Sequence, residues 1–151
     1  MKKLKIILGA DHAGFQLKEH VKQFLQDSGF EVEDEGAHSF DQDDDYPDFI
    51  VPAAKKVADD PKAKGIIFGA SGQGEAIAAN KIKGVRAALY YGHNLEIVKL
   101  SRTHNDANIL SLGAKFISKD EAIHAINLWL STDFRNEERH NRRIKKIDSV
   151  K

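Results

Sequence analysis

The 151-residue sequence contains no cysteine, which excludes disulfides, thiolate metal centres and cysteine nucleophiles together. It carries no net charge either: 23 basic residues balance 23 acidic ones, so no overall field draws it to nucleic acid or a membrane surface. Long apolar runs are missing, and no stretch could span a bilayer. The opening run Leu4 to Ala10 is cut off by Asp11-His12, short of the roughly 7–15 apolar residues of an export signal. Internal repeats, linkers and low-complexity segments are absent. What remains reads as a single domain over residues 1–151, long enough for a substantial core and expected to be soluble and cytoplasmic.

The most informative stretch runs from Gly65 to Lys81. Ile66 to Phe68 is an apolar run of buried-strand length, and Ala76-Ile77-Ala78-Ala79 favours helix. Between them, Gly69-Ala70-Ser71-Gly72-Gln73-Gly74 lets the backbone turn tightly and approach a ligand. Such a strand–loop–helix aims several N–H groups at one point, backed by the positive end of the helix. That is an anion site, for a phosphate or for an oxyanion formed during a reaction. Neither Gly-x-x-x-x-Gly-Lys-Ser/Thr nor Gly-x-Gly-x-x-Gly occurs here. Glu75 would repel a phosphate, which favours a reacting carbonyl oxygen with Glu75 moving a proton. The plainer alternative makes Glu75 a first-turn acid and Ser71 a helix cap.

The rest of the chain alternates. Leu4–Leu8 and Phe30–Asp34 read as strands around a helix whose wet side carries Lys18, Glu19, Lys22 and Gln26. An acidic loop, Ala37 to Asp48, precedes a helix from Phe49 to Asp60 with Pro52 near its first turns. Asp43, Asp44 and Asp45 lack the glycine and glutamate of a calcium loop and read as a solvated, helix-initiating run rather than a metal site. Strands at Val85–Leu89 and Ile109–Leu112 and helices at Asn94–Leu100 and Ala122–Leu130 follow. Five alternations predict a five-stranded parallel sheet covered on both faces, a three-layer α/β fold. Asp11-His12, the central loop and Lys115 then fall at C-terminal strand ends, where open α/β sheets bind ligands. His104-Asn105 lies just before the fifth strand and is expected to join the same crevice. Residues 135–151 form a basic helical arm with little apolar surface to tie it down. Glu137 and Glu138 interrupt its charge, which argues against nucleic acid.

Five motifs in order resemble one family. They are Gly9-Ala-Asp-His-Ala-Gly14, Tyr46-Pro47-Asp48, Gly72-Gln-Gly-Glu-Ala-Ile-Ala-Ala-Asn-Lys81, Ser101-Arg-Thr-His-Asn-Asp-Ala-Asn108 and Arg139-His-Asn-Arg-Arg143. Together they look like the type B ribose-5-phosphate isomerases, a family that includes galactose-6-phosphate and allose-6-phosphate isomerases. The resemblance implies a Rossmann-like aldose–ketose isomerase that needs no metal or other cofactor and works through a cis-enediolate. It implies a homodimer, with a tetramer as the alternative, whose sites are shared between subunits and whose partner is a phosphorylated sugar. By the same resemblance His104 and Asp11 open the furanose ring, while Ser71 and Asn105 hold the sugar. The N–H groups of Gly72, Gln73 and Gly74 meet the enediolate, and Tyr46 belongs to the substrate loop. His12 and Lys115 meet the phosphate, with Arg139, His140 and Arg143 arriving from the other subunit.

Two departures matter. Many members carry a cysteine base where this chain has Gly69; the matching subgroup uses a glutamate, here Glu75. Lys115 replaces the usual arginine, giving a point charge in place of a planar fork. A non-catalytic phosphosugar binder is the main rival, and it has no use for Glu75.

Overall fold

A computed structural model describes residues 4–151. Five strands, β1 (Lys5–Ala10), β2 (Glu31–Asp34), β3 (Lys64–Gly69), β4 (Ala87–Tyr90) and β5 (Ile109–Gly113), form one sheet. Every pairing is parallel and the order is β2-β1-β3-β5-β4. Six helices accompany them: α1 (Phe15–Asp27), α2 (Pro47–Asp59), α3 (Gln73–Asn80), α4 (Glu96–Thr103), α5 (Lys119–Ser131) and α6 (Glu138–Asp148). Strand side chains alternate between faces. Ile6, Leu8, Ile66, Phe68, Leu110 and Leu112 pack against α1, α4 and α5, around a fully buried Trp129. Ile7, Ile67 and Ile109 pack against Ile50, Ala53 and Val57 of α2 and Ala79 of α3. The expected three layers are therefore present.

The chain runs outward from β1 to β2, then crosses back to place β3 on the other side of β1. That reversal opens a crevice between the C-terminal ends of β1 and β3, where the two helices leaving them lie on opposite faces. Asp11 follows β1 and Ser71 follows β3, so both flank it.

Three expectations need correction. The helix expected from Phe49 begins at Pro47, whose ring suits a first turn, so Pro52 lies inside α2. It stays on the exposed side, where water can serve the carbonyl it leaves unbonded. The arm is not loose. His140 is buried, Arg135 N–H donates to the Thr103 carbonyl at 3.3 Å, and Asp148 lies 3.6 Å from Arg86. Its anchors are polar, which apolar spacing does not register.

Lys18 is the third. It is completely buried rather than on the wet side of α1. Its ammonium lies 5.3 Å from the centre of the Phe15 ring and reaches Asp34 at 2.6 Å and Glu19 at 2.8 Å. Asp34 also takes Lys22 at 3.1 Å and the Gly36 N–H at 2.8 Å. Burial alone would raise the Asp34 carboxyl, but the bonds from Lys18 and Gly36 hold it below its ordinary value. This pair fixes where the chain leaves β2 for the loop that returns over the crevice.

Lys18→Met should therefore cost about 3 kcal/mol near neutral pH, the low end for breaking a buried pair because Lys22 remains. A depressed carboxyl contributes stability above its unfolded pKa and loses it as pH falls through the lower folded value. Denaturant melts should show the gap between wild type and Lys18→Met closing in acid; a gap independent of pH would mean the ion pair is not its source.

Candidate active site

The first cluster stands at the C-terminal ends of β1, β3 and β5. Asp11 is buried, and its Oδ1 accepts from the N–H groups of Ala13 at 3.0 Å and Gly14 at 3.3 Å. The aspartate thus holds the turn into α1 while its Oδ2 lies 4.0 Å from His12 Nδ1. The loop after β3 is tied to the exit of β5, since Ala114 N–H donates to the Gly69 carbonyl at 2.8 Å and Lys115 N–H to the Ala70 carbonyl at 3.0 Å. These bonds bring exposed Lys115 beside the central loop. Ser71 Oγ accepts from Gln73 N–H at 3.3 Å, so the capping alternative describes part of its geometry.

Helix α3 starts at Gln73, three residues before the expected Ala76. The N–H groups of Gln73 and Gly74 lie in its first turn, where no intrahelical partner exists. Tyr46 arrives from the start of α2, which packs on the same face as α3: a Cβ on Gly74 would meet its hydroxyl at 2.5 Å.

Glu75 is the decisive residue. Its side chain turns back under the loop and is only 4% exposed. A Cβ built on Gly69 would overlap the Glu75 carboxylate, and the three nearest atoms all belong to that group. The carboxylate occupies the volume of the side chain that position 69 lacks. Burial pushes its carboxyl above the ordinary value; its own backbone N–H works against that shift, and the charge of Asp11 adds to it. A buried carboxylate with a raised proton affinity, beside an N–H cluster, is equipped to take a proton. A solvated first-turn acid would be exposed.

The second cluster lies elsewhere. His104 and Asn105 follow α4 and precede β5, so they sit at the N-terminal edge of the sheet, where the Asn105 carbonyl accepts from Arg86 Nε at 3.2 Å. Five residues of β5 separate them from Lys115, roughly 16 Å at strand rise. The expectation that His104 and Asn105 join the crevice is therefore not met within one chain. The parallel sheet sends the two ends of β5 to opposite edges. His104 instead stacks on His140, with ring centroids 4.3 Å apart. Burial, then the adjacent His104, push the His140 imidazole below its ordinary value, and its Nε2 has no hydrogen-bond partner among the described residues. Glu137 is shared by Arg135, Arg139 and His140, and Glu138 pairs with Arg142. Arg143 is left exposed, one turn beyond Arg139.

A profile of the ribose/galactose isomerase family matches residues 6–147. The chain belongs to that family. Ribose-5-phosphate isomerase B of Mycolicibacterium paratuberculosis is 41% identical over 141 residues, covering 93% of this chain and 87% of the relative. Among solved structures, ribose-5-phosphate isomerase B of Mycoplasma genitalium with bound ribulose-5-phosphate aligns with a TM-score of 0.90 at 39% identity. That alignment covers 95% of this chain and 93% of the other. The Thermotoga maritima ribose 5-phosphate isomerase aligns at 0.91 and 40% identity, over 99% of this chain and all of its own.

One polar residue beside the first cluster escaped the sequence reading. Asp44, taken there as part of a solvated run, has a side chain only 8% exposed. Its Oδ1 receives the His12 backbone N–H at 3.0 Å and stands 2.6 Å from His12 Nδ1. Nothing in three consecutive aspartates marks the one that turns inward. Asp11, His12 and Asp44 bring potential metal-ligand atoms within 4.8 Å of one another, but His12 Nδ1 and Asp44 Oδ1 already engage each other in a 2.6 Å hydrogen bond. The hydrogen bond to Asp44, followed by the nearby Asp11 charge, raises the His12 imidazole above its ordinary value against a desolvation penalty. Replacing Asp44 by Asn should bring it back down. An NMR titration of the His12 ring checks this, with an unchanged midpoint excluding Asp44 as its partner. A charge so held stabilises the fold below the unfolded pKa and ceases to do so as pH rises through the folded one.

Proposed function

We propose that this chain is an aldose–ketose isomerase that interconverts ribose 5-phosphate and ribulose 5-phosphate. Family membership and the ribulose-5-phosphate held by the Mycoplasma genitalium relative support the substrate class. The observation that carries the mechanism is the Glu75 carboxylate, buried in the notch at Gly69. Glu75 takes the proton from C2 of the open-chain aldose, and the carbonyl oxygen at C1 gains charge as the cis-enediolate forms. Returning that proton to C1, with a hydroxyl proton moving between O2 and O1, gives the ketose. The N–H groups of Gly72, Gln73 and Gly74 hold the oxyanion, an effect that acts only as charge develops. His12 and Lys115 offer positive charge to the phosphate, and Ser71, Asp11 and Tyr46 line the sugar.

The remaining groups come from a second copy of the chain. His104, Asn105, Arg139, His140 and Arg143 form a half-site at the opposite edge of the sheet. In a two-fold dimer that edge meets the partner's crevice, and both sites are completed at once. His104 then assists ring opening, and Arg139 and Arg143, four apart on α6, clamp the phosphate. In this reading the arm serves the neighbour while resting on its own chain.

Turnover of ribose 5-phosphate, with allose 6-phosphate and galactose 6-phosphate as alternatives, tests the activity; turnover of none of them would overturn it. Sharing is tested with two damaged chains. Glu75→Gln should lose roughly 100-fold or more in turnover alone, and exposed Arg143→Ala should weaken phosphate binding. Co-expressed, half the dimers are mixed and each contains one intact site, restoring about a quarter of wild-type activity. Activity no higher than the parents' average would exclude the shared site.

A further inference from the structure

β5 is buried along its whole length, and Ser111 at its centre has no solvent exposure. A hydroxyl buried without a partner is costly. Ser111 Oγ–H donates to the Gly72 carbonyl at 2.7 Å, 39 residues earlier in the chain. That carbonyl also accepts the first bond of α3, from Ala76 N–H at 3.0 Å, so it does not need the serine for satisfaction. Gly72 stands at φ +80°, a conformation that side chains other than glycine rarely adopt. It is pressed against the sheet: a Cβ there would meet Leu89 at 2.8 Å and the Leu112 backbone and Ser111 Oγ at 3.1 Å. Because a peptide is planar and trans, the Gly72 C=O and the Gln73 N–H point in opposite directions. Gripping the carbonyl from the sheet therefore aims the N–H the other way, out of the start of α3, where its acceptor is the Ser71 hydroxyl at 3.3 Å, a long bond that an oxyanion can replace.

We propose that Ser111 is a positioning residue, which holds the Gly72–Gln73 peptide so that the Gln73 N–H is a fixed donor to the reaction's oxyanion. The inference rests on the isomerase reading above. Glycine in a left-handed conformation can move to other backbone states at little cost, and the loop's donors are useful only where charge develops. The serine supplies the restraint that glycine cannot. It touches no substrate and acts through one carbonyl.

Ser111→Ala removes the bond, and little volume with it. The expected result is a fall in kcat of about tenfold with KM changed by less than about twofold, because the oxyanion exists only beyond the ground state. Affinity for an enediolate mimic, the hydroxamate of a four-carbon aldonic acid 4-phosphate, should fall by the same factor as kcat/KM. Ser111→Cys, of similar shape but a weaker donor, should lie between wild type and Ala. A melting curve near wild type separates this from lost folding. Unchanged kcat and mimic affinity would overturn the proposal, as would equal losses of mimic and substrate affinity, or a kcat loss that follows the fraction unfolded. Wild-type protein inactive on every sugar phosphate would fail the isomerase reading itself; active wild type indistinguishable from Ser111→Ala fails only this inference.

Discussion

One overlap governs the centre of this molecule: the Glu75 carboxylate and a side chain at position 69 cannot occupy the same space. Only a glycine at the end of β3 leaves room for the glutamate to fold back beneath the loop. The result is a carboxylate nearly sealed from water, with Asp11 raising its proton affinity further and no cation among its dominant influences. Such a group destabilises the fold wherever it is ionised. Its own backbone N–H, in the first turn of α3, works against that shift, and the other N–H groups of that turn are the kind of donor a developing oxyanion needs. The chain's lack of cysteine has its counterpart here. The volume that would hold a thiol on β3 is filled from the following helix.

The second constraint is topological. A parallel sheet carries every strand's exit to one edge and every entry to the other. Residues on either side of β5 are therefore kept apart, however close they are in sequence. The groups at the entry edge, His104, Asn105 and three residues of α6, are joined to one another by the His104–His140 stack. The groups at the exit edge are joined by the bonds between the β3 and β5 loops. Each cluster is assembled in its own right, and the proposed dimer is what would bring one of each together.

Much of this was legible in the sequence because it is written in apolar periodicity and glycine placement. The apolar runs Ile6–Leu8 and Ile66–Phe68, the alternation of Phe30 to Asp34 and the glycines around Ser71 announce strands and the central loop. The motifs that resemble the family run in order across the chain and carry Glu75 with them. What stayed hidden is polar and buried. Lys18 reads as solvated until Asp34, 16 residues on, is seen beside its ammonium. Asp44 is one of three like residues until His12 selects it. His104 was misplaced for a different reason: proximity in sequence to a strand says nothing about which edge of the sheet a residue occupies until the strand's direction is considered.

The central claim is that a base placed in the Gly69 notch makes the reaction possible. It is tested most directly by moving the base from the helix to the strand. Gly69 has no left-handed backbone requirement, and Glu75 supplies the three atoms nearest to a Cβ there, so Gly69→Cys combined with Glu75→Ala should fit. The account predicts that Glu75→Ala loses roughly 100-fold or more in ribose 5-phosphate turnover. The double variant should recover at least about tenfold of that loss, with a pH dependence that follows thiolate formation. A Glu75→Ala enzyme that keeps near-normal turnover, or a folded double variant no faster than the single one, would contradict it.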